Sequence, residues 1–264
     1  MTTIRGVIAL GLLAMLAAGS CLMGEDSRPS APLAPLSVEQ VVDNLVRRNH
    51  ERARALSSSD ATRVYHLSYR GLLGDHDAEM TVEASYRRPD AKDFKIVSQS
   101  GSKAIADHVF KKLLEGEQEA AKPEVSAQTE LNRENYDFEL VSYEPSHEGG
   151  IYLLQVTPKS KSKYVYRGKV WVDGTDFAVV KIEAEPARNP SFWIKKSEIH
   201  HAYVKVQDFW LPVQNESVSV IRTGGRAVLT IEYKDYRVTG ANTAMSMNMT
   251  SANAGGAQES VGRQ

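Results

Sequence analysis

Histidine, cysteine and paired carboxylates carry most hydrolytic and metal chemistry, and in this sequence they are scattered. The seven histidines are His50, His66, His76, His108, His147, His200 and His201. Only the last two are adjacent, and neighbouring residues of a strand point to opposite faces, so His200 and His201 cannot chelate one ion in regular geometry. The single cysteine, Cys21, permits neither an internal disulfide nor a multi-cysteine metal site. It also lies near the N-terminus, outside any pocket that could activate a thiol. There is no Gly-x-Ser-x-Gly elbow, no phosphate-cradling glycine loop and no His-Glu-x-x-His helix. The acidic residues form no placed pair. The sequence therefore leads us to expect a protein that is not an enzyme, with no metal and no cofactor; a hydrolase with a hidden nucleophile is the minor alternative.

Charge excludes a further class. Across 264 residues, 33 acidic side chains face 32 basic ones, and nucleic-acid binding usually needs a basic excess. Two basic clusters stand out locally, Lys159, Lys161, Lys163, Arg167 and Lys169, and then Lys195-Lys196. Alternate lysines share one face of a strand, where they could meet anionic lipid headgroups. An ordinary solvated sheet edge is the simpler reading. The aromatic residues Trp171, Phe192, Trp193, Phe209 and Trp210 fall at strand ends and turns. They either fill a sheet–helix core or line an apolar cavity between the layers, and both readings stay open.

The N-terminus speaks for export. Residues 1–20 carry one charge, Arg5, then an apolar run from Gly6 to Ala18 that is too short to span a bilayer and ends in small residues. This is the pattern of a signal peptide. Ala18-Gly19-Ser20 suits a general signal peptidase, whereas Leu16-Ala-Ala-Gly-Ser-Cys21 resembles the lipobox of bacterial lipoproteins, in which Cys21 becomes the lipidated first residue. That second resemblance, with Leu22 rather than aspartate next, implies outer-membrane sorting. Residues 21–36 contain three prolines and no periodicity, an extended tether of at most ~45 Å. Residues 240–264, rich in Ala, Ser, Asn, Gly and Met, are expected to be a disordered tail.

The elements between, residues 37–239, form one domain. Ser37-Val-Glu-Gln40 has the form of a capping box, followed by Val38, Val41, Val42, Leu45 and Val46 at helical spacing up to the run Ser57–Ser59. The period then changes to two: Ala78, Met80, Val82, Ala84 and Tyr86 alternate with polar residues. Strands are expected at about 62–70, 78–86 and 93–99. A second helix at 102–121 is stopped by Pro123. Seven further strands follow at about 136–144, 150–157, 163–172, 177–184, 194–206, 210–221 and 226–236. Turns needing positive φ are expected at Asp173-Gly174 and Gly224-Gly225. The fold class is α+β: a curved antiparallel sheet of about ten strands, an incomplete β-barrel covered by two helices.

Several residues suggest a family. The exported leader, the N-terminal amphipathic helix, the long strands and Tyr86-Arg87-Arg88-Pro89-Asp90 resemble the periplasmic carriers and acceptors that localise outer-membrane lipoproteins, the LolA/LolB-like superfamily, and the related RseB-like periplasmic regulators that bind an anti-sigma factor. Gly168-Lys-Val-Trp-Val-Asp-Gly174, Phe177–Glu183 and Phe209-Trp-Leu-Pro-Val213 resemble its later strands. The chain departs from the carriers in its charged segment 102–121 and in two extra residues between Pro89 and Phe94. The resemblance implies a helical lid over a cavity that accepts acyl chains or lipidated proteins, with Arg88 gating it. The lining expected here is Met80, Val82, Tyr86, Phe94 and Ile96, with Trp171 and Trp193 as weaker candidates. A monomer is expected, in the periplasm and tethered through Cys21 to the outer membrane. The alternative is an envelope-stress or assembly module that binds a protein partner.

Overall fold

The computed structural model describes residues 35–240 apart from 73, 89–90, 104–108 and 148. The leader, Cys21, most of the tether, the tail from 241, Pro89 and the middle of the expected 102–121 helix lie outside the described residues. Helix α1, Val38–Ala55, starts on the capping box: Gln40 N donates to Ser37 Oγ at 3.3 Å and Ser37 N donates to Gln40 Oε1 at 3.0 Å. Its Val41, Val42 and Leu45 are buried. The chain turns without a loop into β1, Leu56–Arg70. The serine run does end the helix, but as the first residues of that strand, which begins well before the expected position 62.

Strands β2 (His76–Arg87) and β3 (Ala91–Gly101) follow by hairpins. Helix α2 (Lys111–Ala120) and a short α3 (Pro123–Thr129) then cross to β4 (Tyr136–Glu144). Among the described residues the helices number three rather than two, because Pro123 both stops α2 and opens α3 at a first-turn position, where its missing N–H costs nothing. The remaining strands are β5 (Ile151–Pro158), β6 (Tyr166–Asp173), β7 (Val179–Pro186), β8 (Ile194–Val206), β9 (Phe209–Ile221) and β10 (Arg226–Gly240).

All ten strands form one antiparallel sheet in the order β3-β2-β1-β10-β9-β8-β7-β6-β5-β4. It is not closed, and β3 and β4 are its edges. Every neighbour is a hairpin partner except β1 and β10, which pair from Leu56–Gly240 to Arg70–Arg226. Register shifts at Asp60/Thr62, Thr81/Val82 and Ala202/Tyr203 add the bends and twist that curve such a sheet. Gly224 and Gly225 take positive φ as expected, 95° and 107°. At the other expected site the left-handed residue is Phe177 (φ 47°), not Gly174. Asp173 explains the difference: its carboxylate accepts from Thr175 N at 3.0 Å and Asp176 N at 2.6 Å, organising a longer turn that closes later.

Two apolar clusters occupy the helix-covered, inner face. One lies under α1 and joins Val41, Val42 and Leu45 to Leu154, Val156 and Val170. The other lies under the α2 segment and joins Tyr65, Met80, Val82 and Ile231 to Phe110. A more polar band separates them: Ser197 and Ser219 share a hydrogen bond of 3.0 Å, and Asn215 Nδ2 donates to Tyr233 at 2.9 Å.

Candidate functional site

Period-two geometry decides what faces α2. In β1, Tyr65 sits opposite Met80 on one side and Ile231 on the other, so it points inward. Arg63, two residues earlier, therefore points inward too, between Val82 and Tyr233. An arginine in this layer needs a counter-ion, and α2 supplies it: Arg63 Nη1 donates to Glu117 Oε2 at 2.5 Å, with side-chain exposures of only 17% and 29%. Tyr65 donates to the other carboxylate oxygen at 3.3 Å. The guanidinium also lies 5.2 Å from the Phe94 ring centre and 5.1 Å from that of Tyr233. Its Nε is buried and has no hydrogen-bond partner among the described residues.

The electrostatics follow from that geometry. Burial works against the charge of Arg63, but the Glu117 carboxylate outweighs it and raises the pKa. Burial, reinforced by Glu117, pushes the Tyr65 phenol up to about 12. Lys92 is opposite Tyr86 on β3 and open to water, yet enough protein surrounds its ammonium that desolvation lowers its pKa; Glu117 opposes that and Arg63 adds to it. Two cations and one carboxylate thus sit at an aromatic mouth, leaving one positive charge unbalanced within the group. In the polar band, burial and then His200 lower His201 to about 4, which keeps it neutral beside Asn215. The Asn215 Oδ1 is buried with no hydrogen-bond partner among the described residues.

The residues singled out in the sequence divide three ways. Met80, Val82, Tyr86, Phe94 and Ile96 share the inner face of β2 and β3. Met80 and Val82 are fully covered, Tyr86 and Phe94 half-buried, and Ile96 is 51% exposed at the sheet edge. Arg88 stands where β2 ends and donates from Nη1 to the Arg54 carbonyl in the last turn of α1, at 2.7 Å. Trp171 and Trp193 lie elsewhere. Trp171 alternates with the buried Val170 and Val172, which puts it on the outer face under the Lys181 ammonium, 4.6 Å from its ring centre. Trp193 projects from a hairpin end, 59% exposed. Cys21 lies outside the described residues.

The cover over this site is unevenly anchored. Helix α1 buries three of its own residues, whereas α2 buries none fully; Phe110, just before it, is buried, and Leu113 and Leu114 are half-buried against the same cluster. Two clefts flank α1 on its outside, of about 620 Å³ beside Arg47, His50, Glu130 and Arg133, and about 330 Å³ beside Arg52, Asp176 and Lys205. Charged side chains ring both, with Val42 and Val46 also lining the first, and His50 and Glu130 meet across that first cleft at 2.5 Å. Among the described residues no three His, Cys, Asp or Glu side chains converge as a metal site would require. Neither Arg63 nor Lys92 nor Glu117 is singled out in the sequence, and His201 is weighed there only as a metal ligand, although Arg63 is marked by its position in the same alternation as Tyr65 and Leu67.

No protein-family model and no curated protein sequence matches the chain. Solved structures do show similarity. A putative outer membrane lipoprotein-sorting protein domain from Vibrio parahaemolyticus is 16% identical, with 76% of this chain and 92% of that one covered and a TM-score of 0.38. A LolA superfamily protein from Nitrosomonas europaea is 11% identical, with 77% and 94% covered and a TM-score of 0.32. The MucA/MucB complex of Pseudomonas aeruginosa contains a chain that is 10% identical, with 76% and 100% covered and a TM-score of 0.25.

Proposed function

We propose that this chain is a non-catalytic binding protein whose inner face, at β1–β3 beneath α2, accepts an acyl chain or the lipid moiety of a lipidated protein. The observation that carries this reading is the lid. Helix α2 spans Met80, Val82, Tyr65 and Ile231 with no fully buried residue of its own: Leu113 and Leu114 rest half-buried on that cluster, and the Arg63–Glu117 and Lys163–Glu119 pairs tie it down. Lifting α2 opens an apolar floor already continuous with the half-open Phe94 and Ile96. Each methylene a ligand buries there contributes ~0.8 kcal/mol. Arg63 and Lys92 at the mouth favour an anionic or strongly polar head on that chain. Arg88 holds the far end of β2 to α1 and so limits how wide the layers part. Export, a diacylglyceryl anchor on Cys21 and residence at the outer membrane belong to the same reading, as part of lipoprotein sorting or trafficking.

The test is a titration of the protein with a fluorescent fatty acid, followed by displacement with palmitate. Saturable one-to-one binding is expected, weakened by Ile96→Asp and Phe94→Asp, with Arg63→Met reducing affinity for the acid more than for the matching alcohol. Absence of saturable binding, or indifference to all three substitutions, would refute the reading. Mass spectrometry of the mature N-terminus tests the anchor separately. A second reading, a module that binds a protein partner, is favoured by edge strand β3, where Ile96 and Val97 are both about half exposed and a partner strand could add to the sheet.

A further inference from the structure

The antiparallel order gathers the β1–β2, β5–β6, β7–β8 and β9–β10 loops at one end of the sheet. Three of them touch. Arg222 N donates to the Trp193 carbonyl at 2.8 Å and Arg222 Nε to the Phe192 carbonyl at 2.6 Å. Tyr69 donates to the Gly224 carbonyl at 2.8 Å, and the Leu72 side chain lies against Gly224. This end is built, yet it holds apolar side chains out: Leu72 is 86% exposed, Phe192 77% and Trp193 59%. The two rings pack edge to face with centres 5.6 Å apart, and the Arg222 guanidinium covers Phe192 at 5.4 Å. Hydrogen bonds from Ile194 N to the Ser191 carbonyl and from Asn189 to the Lys195 carbonyl fix the loop beneath them.

The charges around this tip have one sign on three of the four loops. Residues 159–165, 187–193 and 222–225 contain Lys159, Lys161, Lys163, Arg188 and Arg222 and no acidic residue. Lys159 and Lys163 are held by Asp137 and Glu119. Among the described residues Lys161, Arg188, Lys195 and Arg222 have no carboxylate partner. On the fourth loop, Asp75 and its neighbour Asp77 are occupied by Arg70.

We propose that this end of the sheet docks on an anionic lipid bilayer, with Leu72, Phe192 and Trp193 seated in the interfacial layer and the basic rim on headgroup phosphates. Rigid aromatic side chains ringed by unpaired cations match the depth profile of such a surface: apolar and aromatic groups at the acyl boundary, cations at the phosphates. Of the two lysine clusters that look like solvated edges in the sequence, the topology brings Lys161 and Lys195 to this rim without a carboxylate partner among the described residues, while Lys196 pairs with Glu185 and Glu198. The inference is independent of the acyl-binding reading, since none of these residues lines the inner face under α2.

The experiment uses the full chain with Trp171→Phe and Trp210→Phe, so that Trp193 is the sole tryptophan and reports its own site whatever the N-terminus does. With vesicles of phosphatidylglycerol and phosphatidylcholine, Trp193 emission is expected to shift to the blue and become shielded from iodide. Vesicles of phosphatidylcholine alone should leave it accessible. Arg222→Ala is expected to weaken the shift roughly fivefold, high salt should weaken it further, and Arg63→Met should leave it unchanged. If the double tryptophan variant folds poorly, a spin label on Ser191→Cys in a Cys21→Ser background reads the same depth. Trp193 fully open to iodide on both vesicles would overturn the proposal in favour of a protein-facing tip. Equal shielding on both would overturn its anionic partner.

Discussion

Glu117→Gln probes the lid most directly. The substitution keeps the shape of the side chain and removes the charge facing Arg63, whose guanidinium is 17% exposed and already has one unpartnered nitrogen. At 2.5 Å in a partly buried setting the gross attraction is several kcal/mol, but desolvation of both groups offsets most of it. A net contribution of about 1–2 kcal/mol remains, placed between exposed and fully buried pairs. If that energy holds α2 against the sheet, its loss raises the lid-open population roughly 5–30-fold. Hydrogen exchange reads this out. Amides of residues 111–120 should exchange faster by that factor in Glu117→Gln. Amides around Tyr65, which pair with strands on both sides, should change much less. Arg63→Met should act similarly, and the double variant should fall short of the sum, because each single change breaks the same pair. Unchanged α2 exchange, or equal acceleration in α2 and β1, would refute the lid: in the second case the pair would be stabilising the whole domain.

Three other outcomes are expected. His201 stays neutral in the fold down to about pH 4 but protonates near pH 6.5 when unfolded. Below pH 6.5 the unfolded chain therefore binds a proton that the folded chain refuses, and stability falls by on the order of 3 kcal/mol by pH 4; His201→Phe should flatten that slope in urea melts, and an unaltered slope would place the loss in other groups. Met80→Ala, at a fully covered position under Phe110, should cost ~2–4 kcal/mol in urea denaturation. Arg88→Leu removes the hydrogen bond to the Arg54 carbonyl at an exposed site, so stability should change by no more than ~1 kcal/mol while uptake of an acyl probe accelerates; identical uptake would count against gating.

Much of this architecture is local and so was legible. The alternation Ala78-Met80-Val82-Ala84 predicts one buried face, and all four residues are buried. Ser37 and Gln40 announce the start of α1 through hydrogen bonds three residues apart. What the sequence hides is non-local. The pairing of β1 with β10 joins the ends of the domain and leaves no turn signal between them. Pro123 reads as a stop and is also a start, since the same fixed φ suits both roles.

Arg63 shows how a legible pattern can still be misread. In β1 the inward positions are Arg63, Tyr65 and Leu67, and a charged residue at the head of such a row looks like the place where the buried face ends. It reads differently once a covering element is required to neutralise it. A lone inward arginine implies a carboxylate in the layer above, and that carboxylate, Glu117, lies 54 residues away, on a helix whose lack of buried residues would otherwise leave it weakly attached. Helix α1 is fastened by Val41, Val42 and Leu45, contacts that weaken only when the core itself opens. Helix α2 adds only the half-buried Leu113 and Leu114 and is otherwise fastened by charge pairs, Glu119 to Lys163 and Glu117 to Arg63, and a competing anion at Arg63 or Lys92 can replace the second without breaking the core. Of the two covers, α2 is therefore the one a ligand can displace, and an anionic head on that ligand would supply the means.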